Sequence, residues 1–488
     1  MGLRGWRDLA PAFGLGVLAA SGQAPLGAWY LAVPAFAGIV WQVTAGRPAA
    51  RGWAAGTGYF AAALSWIVQP FFVEPETYGW MAPFALVLMA GGLALFWGAA
   101  AGLAARLVRT TARQALAFAL CLSGAEALRG VVFTGFPWAQ PGHIWIDTPV
   151  AQLAALTGAD GLTLLTLVLA ALPVMARGRG TLAAALLLAM VWGGGVWQLA
   201  QPDPAAPGLT FRLVQPAAEQ SLKWDPAQAE RLYRLQTGYT AAEPRPDLVI
   251  WPETALPYLY TPGGDAALGV AEAARGVPVA LGVQRVEGAA AYNSLAVLGP
   301  DGYQTAIYDK AHLVPFGEYL PFGDLAWRLF GISAFAARQG YGYAAGPGPR
   351  VLDLGPLGKA MPLICYEAVF PEEVNAAPER PGWLLQITND AWFGTLTGPF
   401  QHAAQARLRA VEQGLPLVRV ANTGVTQMVD ARGRVTAELP FGRSGYLDAA
   451  LPGALPPTPY SRYGMMPFLL LLGGLALTLA RRRAHPSA

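Results

Sequence analysis

Three side chains in this sequence offer a nucleophile, a base and a cation, and each stands just past a short apolar run. Cys365 follows the run 359–364 and precedes Tyr366, Glu367 and a Phe370-Pro371 step. The run reads as a buried strand and the Phe-Pro step as a helix start, so the thiol falls in a strand-to-helix turn, where a nucleophile is both exposed and rigidly held. Glu253 ends the stretch Asp247-Leu248-Val249-Ile250-Trp251-Pro252-Glu253, and Lys310 ends Tyr308-Asp309-Lys310. Open α/β sheets place their sites at such carboxyl ends of strands. Singly, each has a plainer reading: Cys365 as a small buried apolar residue, Glu253 as a helix-capping acid, Lys310 as a solvated loop residue. Three together are harder to dismiss. Basic residues elsewhere are almost all arginine, with only Lys223 and Lys359 beside Lys310.

The elements that must position these residues lie in 201–460. Strands are expected at 209–215, 247–251, 277–283, 295–298, 383–388 and 417–420. Helices are expected at 226–241, with Asp225 as N-cap and Pro226 in the first turn, and at 266–274 and 400–413. Strand-helix alternation with some adjacent strands argues an α/β layered domain.

The rest of the chain is membrane-like. It is 54% hydrophobic and 13% charged, about half the charged fraction of an ordinary soluble protein. A net charge of +3 without a basic run among aromatics gives no case for nucleic acid. Two distant cysteines make no disulfide framework, and four scattered histidines no metal site. Apolar segments cover 9–20, 26–45, 53–72, 81–103, 115–133, 154–176, 181–199 and 465–480, which are read as eight spans. The first, preceded by Arg4 and Arg7, also has the shape of a signal peptide, but the second follows too soon and suggests a helical hairpin. Arginines mark alternate junctions (Arg47 and Arg51; Arg106, Arg109 and Arg113; Arg177 and Arg179), and Arg481, Arg482 and Arg483 follow the last segment. By the positive-inside rule both termini are cytoplasmic and 201–460 is outside. Domains are expected at 1–200, 201–460 and 461–488.

Polar residues interrupt the spans. Glu126 and Arg129 share a helix face and read as a neutralised pair near the outer surface, with a transport relay the other reading. Asp160, after Gly158, reads as a helix break. The stretch from Gly135 to Trp145 suits an interfacial element or a Trp belt.

Trp251-Pro252-Glu253, Tyr308-Asp309-Lys310 with His312 to Tyr319, and Ile364-Cys365-Tyr366-Glu367 resemble the three signature blocks of the nitrilase (carbon-nitrogen hydrolase) superfamily. With Thr388-Asn389-Asp390-Ala391-Trp392-Phe393-Gly394, Gln401-His402 and the span layout, nearly the whole chain is similar to the bacterial apolipoprotein N-acyltransferase family. Ala311, where that family often has a basic residue, and Pro362, within the nucleophile strand, are departures. The resemblance implies an α-helical membrane domain of eight spans carrying an external, nitrilase-like α-β-β-α sandwich.

It also implies the chemistry. Glu253 would take the proton of Cys365, whose ordinary pKa of about 8.5 leaves little thiolate at neutral pH. Lys310 and a backbone N–H would hold the oxyanion. Glu318 and Glu367 are expected to orient Lys310 or the incoming amine, with Tyr366 in support. Trp224, Trp392 and Phe393 are candidates to line an acyl pocket. An apolar arm of Trp327, Leu329, Phe330, Ile332 and Phe335, followed by 339–348, is expected to dip into the outer leaflet.

The implied reaction moves an acyl chain from a phospholipid to Cys365, and from there to the α-amine of a diacylglyceryl-cysteine at an apolipoprotein N-terminus, the last step of lipoprotein maturation. No cofactor is needed, because ester-to-amide exchange runs downhill. Drawing a palmitoyl-sized chain into water costs about 0.8 kcal/mol per CH₂, on the order of 11 kcal/mol in all, so the donor must come from the bilayer. The expected setting is the bacterial inner membrane, multi-pass, with the catalytic domain periplasmic and the protein a monomer. A membrane-tethered amidase would share the three residues but release its acyl group to water. A transporter would want broken helices in matched halves, a pattern the sequence lacks.

Overall fold

A computed structural model describes residues 7–220, 226–319 and 342–481. The chain divides into a helical unit (Met1–Pro202, Phe393–Gln413 and Pro457–Ala488) and a sheet-bearing unit (Asp203–Trp392 and Gly414–Pro456). In chain order the longer helices are α1 (Ala10–Ala20), α2 (Trp29–Thr44), α3 (Pro48–Ala63), α4 (Ala82–Leu107), α5 (Thr111–Arg129), α6 (Ala154–Leu199), α7 (Pro226–Thr240), α8 (Asp265–Ala274), α9 (Gly398–Gln413) and α10 (Met466–Arg481).

In the helical unit every apolar segment of the sequence contains a helix, but the lengths differ from expectation. The segment 53–72 is divided: α3 ends at Ala63 and a 3₁₀ stretch, Ser65–Phe72, carries Pro70. The two segments expected at 154–176 and 181–199 both lie in α6, whose helical dihedrals fail at Ala176 and Arg177. A bilayer core about 30 Å thick asks for about 20 residues of helix. Among the described residues two segments are long and apolar enough to cross it, Pro75–Leu107 and Pro149–Leu199, whereas Ala10–Ala20, Trp29–Thr44 and Met466–Ala480 are apolar but shorter. Packing is close where glycine permits it: a Cβ on Gly16 of α1 would sit 2.0 Å from the Ala55 carbonyl oxygen of α3. Small residues at helix contacts allow that approach. Phe468 of α10 packs against Leu120 of α5 and Leu164 of α6.

The Trp-rich segment after α5 is not an interfacial belt. Trp138 and Trp145 are fully buried. Trp145 Nε1 donates to Thr166 Oγ1 at 2.8 Å, and Trp138 Nε1 to Gln401 Oε1 of α9 at 2.8 Å. These aromatics therefore fill the unit's interior. Asp160 accepts from Gln140 Nε2 at 3.0 Å, beyond a Gly158 with φ of +68° that breaks the helix. Glu126 and Arg129 are buried and pair at 2.5 Å, with Trp97 Nε1 donating to Glu126 at 2.8 Å and Arg129 donating to the Trp138 carbonyl at 3.0 Å. Every charge there has partners, which is the neutralised pair of the sequence reading.

The second unit is built from two sheets. Its strands are β1 (Thr210–Gln215), β2 (Leu248–Ile250), β3 (Leu259–Tyr260), β4 (Val279–Glu287), β5 (Ala290–Leu298), β6 (Gln304–Asp309), β7 (Leu352–Asp353), β8 (Lys359–Ile364), β9 (Trp383–Thr388), β10 (Leu417–Ala421), β11 (Thr426–Val429), β12 (Val435–Leu439) and β13 (Gly445–Ala450). One sheet runs β13-β1-β2-β4-β5-β6 with β3 beside β4, and the other β12-β11-β10-β9-β8-β7. Each has a parallel trio, β1-β2-β4 and β8-β9-β10, extended by antiparallel neighbours. The sheets meet through Phe211 and Trp383, ring centroids 5.0 Å apart. On the first sheet, Val270, Ala267 and Ala274 of α8 pack with Val249, Val279 and Leu281, and Trp251 Nε1 donates to Thr240 Oγ1 of α7 at 2.9 Å. Pro362 is accommodated because β7 pairs only with Ala360 and Lys359, leaving β8 a partner on one side at the proline.

Replacing Glu126 with Gln strips the buried Arg129 guanidinium of its counter-ion. The expected loss is on the order of 3 kcal/mol of stability, read as a lower melting temperature in detergent. An unchanged melting temperature would contradict this account of the pair.

Candidate active site

Three strand ends and two loops bring the polar residues together. Glu253 follows β2 in a turn that β4 passes so closely that a Cβ on Gly282 would meet the Pro252 carbonyl oxygen at 2.2 Å. Its carboxylate accepts from Asn293 Nδ2 at 2.7 Å and from the Asn389 backbone N–H at 2.8 Å. Lys310 follows β6, and its backbone N–H donates to the Asn293 carbonyl at 2.9 Å. The Lys310 Nζ lies 2.8 Å from one Glu318 oxygen, 2.9 Å from the other and 3.7 Å from Glu253 Oε1. Glu318 is held in turn by Asn293 Nδ2 at 3.1 Å and the Val314 N–H at 2.8 Å.

Cys365 begins the turn after β8 with φ of +53°, a left-handed backbone that a residue with a Cβ rarely adopts. Two neighbours on β9 hold it. Gln386 Nε2 donates to the Cys365 carbonyl at 3.2 Å, and the Thr388 hydroxyl is hydrogen bonded to the sulfur. Glu253, Lys310, Glu318 and Cys365 are 6%, 1%, 5% and 5% exposed, so the cluster is nearly dry.

Electrostatics follow from that burial. Desolvation opposes the Lys310 ammonium, but Glu318, Glu253 and the Cys365 sulfur outweigh it and hold its pKa above the usual lysine range. Burial first, and then the Glu253 charge, push the Cys365 thiol up, while Lys310 and Thr388 pull it down without cancelling the rise. Burial and the neighbouring carboxylate thus both favour the protonated sulfur.

Glu367 reaches the site differently from Glu318. One oxygen accepts from the Tyr308 hydroxyl at 2.7 Å and from the N–H groups of Ala311 and His312 at 2.8 and 3.3 Å, and the other from the Ile364 N–H at 2.6 Å. It ties the end of β6 to the Cys365 turn rather than touching Lys310. Burial pushes its pKa up to about 7, against those hydrogen bonds. Tyr366 packs edge-on against His312 and Phe370, 5.4 and 4.8 Å between centroids.

The pocket candidates fare variously. Phe393 packs within the helical unit on Trp66, Trp138 and His402, at 5.0, 5.6 and 5.4 Å. Trp392 is half-buried. Trp224 and the arm residues Trp327, Leu329, Phe330, Ile332 and Phe335 lie outside the described residues. Part of the expected arm, 342–348, instead clasps the site: the Tyr343 N–H donates to the Glu318 carbonyl at 2.9 Å and the Gly346 N–H to the Lys310 carbonyl at 2.8 Å. Among the described residues no three His, Cys, Asp or Glu side chains group as metal ligands.

Sequence reasoning missed Asn293 and named Thr388 only as the first residue of a motif, without a role. Asn293 is 2% exposed, its Nδ2 bridges Glu253 and Glu318, and its Oδ1 has no partner among the described residues. Asparagine is disfavoured within strands, and its place in the apolar run of β5 was the available signal.

Comparison with known proteins agrees with this architecture. The apolipoprotein N-acyltransferase N-terminal domain family matches residues 15–172, and the carbon-nitrogen hydrolase family matches residues 200–458. The second match covers the sheet-bearing unit, whose fold is thereby nitrilase-like. A relative from Bradyrhizobium diazoefficiens, an apolipoprotein N-acyltransferase, is 38% identical over 99% of this chain and 97% of its own. Another of that name from Caulobacter vibrioides is 42% identical over 86% of this chain and 83% of its own. A solved amidase from Nesterenkonia sp. is 20% identical over 52% of this chain and 94% of its own, with a TM-score of 0.37.

Glu367→Gln keeps shape but turns one acceptor into a donor facing an N–H, at a cost of about 1–3 kcal/mol. The folded pKa of about 7 lies above the ordinary 4.5, so the wild-type carboxyl contributes most below the ordinary value, and that contribution fades as pH rises through 7. The wild-type advantage in melting temperature is thus expected to shrink from about pH 5 to about pH 8. An advantage that grows with pH would overturn the assignment.

Proposed function

The chain belongs to the apolipoprotein N-acyltransferase family and is an acyltransferase of lipoprotein maturation; from that premise we propose that it carries the acyl group on Cys365, taking it from a membrane phospholipid. The observation that carries this reading is one buried ammonium, Lys310, lying 3.7 Å from Glu253 and electrostatically coupled to Cys365. Base, cation and nucleophile then share one dry cluster.

The steps balance in protons. As the sulfur attacks the phospholipid ester carbonyl, Glu253 takes the thiol proton. The negative charge moves to the carbonyl oxygen, where Lys310 and a backbone N–H stabilise it. Collapse expels the lysophospholipid alkoxide, which leaves with the proton from Glu253, and a thioester remains. The α-amine of a diacylated apolipoprotein attacks that thioester and gives a proton to Glu253, which returns it to the departing sulfur. Glu318 anchors Lys310 throughout, Glu367 sets the spacing of the two loops, and Tyr366 supports the same turn.

A raised thiol pKa fits this sequence of steps. The thiol need not ionise ahead of attack, because the carboxylate accepts its proton as the bond forms. Aliphatic donors require a bilayer, and we propose that all eight apolar segments are embedded in the inner membrane. Arginines at alternate junctions put both termini in the cytoplasm and the nitrilase-like domain in the periplasm. The protein is taken to act as a monomer.

Intact mass of detergent-purified protein, incubated with a defined phosphatidylethanolamine, tests the reading. A gain of one acyl chain, removed by neutral hydroxylamine and absent from Cys365→Ala, is expected. No adduct with any phospholipid, or acyl release to water without transfer to an amine, would overturn it. Glu253→Gln is expected to lower the acylation rate by about 10²–10⁴-fold. The same variant should shift the alkylation midpoint of Cys365 to lower pH, because Glu253 raises the thiol pKa.

A further inference from the structure

Behind the nucleophile, on the β9-β10 side of the second sheet, lies a buried ion pair that the mechanism above does not use. We propose that Arg419 is a positioning residue of this site: it holds Cys365 in attack geometry from two sides, through Gln386 on the carbonyl and through Asp390 and Thr388 on the sulfur. The proposal rests on Cys365 being the acylated nucleophile.

The register sets up the arrangement. Arg419 of β10 stands opposite Gln386 of β9, and Ala421 opposite Thr388. Gln386 and Thr388 are two apart on one strand and so share a face of the sheet. The Arg419 guanidinium donates to Gln386 Oε1 and, at 2.5 Å, to Asp390 Oδ2, while its Nε donates to the Val425 carbonyl at 3.2 Å. Gln386, its oxygen thus engaged, aims Nε2 at the Cys365 carbonyl at 3.2 Å. The Thr388 hydroxyl donates to Asp390 Oδ1 at 3.0 Å and is hydrogen bonded to the Cys365 sulfur. Arg419, Gln386, Thr388 and Asp390 are all 0% exposed. The carboxylate is tightly caged, because a Cβ on Gly424 would lie 2.0 Å from Asp390 Oδ2.

Two features argue for a role beyond folding. A buried ion pair is commonly no more stabilising than apolar residues of the same shape, so stability alone gives little reason for one here. Cys365, meanwhile, holds φ of +53°, a strained backbone that persists only where its surroundings over-determine it. The two arms from Arg419 fasten the two ends of that strained residue. The guanidinium also takes up the Asp390 charge, which leaves the single Thr388 hydrogen able to turn from the carboxylate to the sulfur as negative charge forms there. A fork of fixed geometry can serve Gln386 and Asp390 at once, whereas a lysine offers a point charge.

The test uses full-length protein in detergent. Single-turnover acylation from phosphatidylethanolamine is followed by intact mass, and the pH midpoint of Cys365 alkylation by iodoacetamide is followed separately. Arg419→Lys is expected to slow acylation by at least about 10-fold with the donor concentration for half-maximal rate unchanged. Thr388→Val should move the alkylation midpoint to higher pH, and Thr388→Ser should restore most of the rate lost in Thr388→Val. Gln386→Met, which cuts only the backbone arm, should slow acylation without moving the midpoint. Should Arg419→Lys fail to fold, the Thr388 and Gln386 variants decide alone. Wild-type rates and midpoint in folded variants would overturn the proposal. No adduct on wild-type protein would instead remove the acyl-enzyme reading, while the alkylation midpoints still report whether Arg419 and Thr388 set the state of the thiol.

Discussion

The catalytic unit depends on keeping one ammonium charged where water is nearly absent. Lys310 is 1% exposed, and an isolated buried cation would give up its proton rather than bear the loss of solvation. Glu318 at 2.8 Å and Glu253 at 3.7 Å prevent that, and each carboxylate is itself held by donors from other elements. Asn293 serves both carboxylates from β5, whose carbonyl also receives the Lys310 backbone N–H. The strand ends are therefore placed by a charge balance that fails if any of them moves. In the proposed mechanism Glu253 serves as the base while Glu318 keeps the lysine in place.

The sheets provide the rigidity this balance requires. Each contains a parallel trio, and the carboxyl ends of β2 and β8, one from each, carry Glu253 and Cys365. β2 is hydrogen bonded on both sides, by β1 and β4, and β8 is paired with β9 as far as Ile364, so the turns that leave them start from well-determined ends. Glu367 links the two sheets at this level, joining the loop after β6 to the last residue of β8. It does so with a carboxyl whose pKa is pushed up to about 7, so its own ionisation is costly and its hydrogen bonds are the compensation.

What could be read from the sequence were features that local pattern encodes. Apolar runs ending in Glu253, Lys310 and Cys365 gave the strand ends, and Asp225-Pro226 gave the start of α7. Strands such as β11 were not legible because they bury polar residues: Thr426 bonds Gln215, far away in sequence, and Gln427 bonds Glu438 on β12. Asn293 and Arg419 were hidden for the same reason, and Thr388 showed only as a motif residue without a role: each has its meaning only through cross-strand register. Trp138 and Trp145 misled because a tryptophan near a proline and glycines looks the same in sequence whether it faces headgroups or fills an interior. Glu367 was placed beside the reaction by its neighbour Cys365, but its hydrogen bonds reach along the backbone instead.

The same burial bears on why the proposed acyl-enzyme would last long enough to meet its second substrate. A thioester is open to water as well as to an amine, and selectivity between them is a matter of access and of proton transfer. With Cys365 5% and Glu253 6% exposed, bulk water has little path to the thioester or to the base that would activate it. An amine needs less help to attack, since its lone pair is the nucleophile and the base is required only to take the proton afterwards. A site with a held carboxylate, a held ammonium and little solvent therefore disfavours hydrolysis more than aminolysis. By this argument the tight packing that raises the thiol pKa, and so seems to work against the first step, is what protects the second.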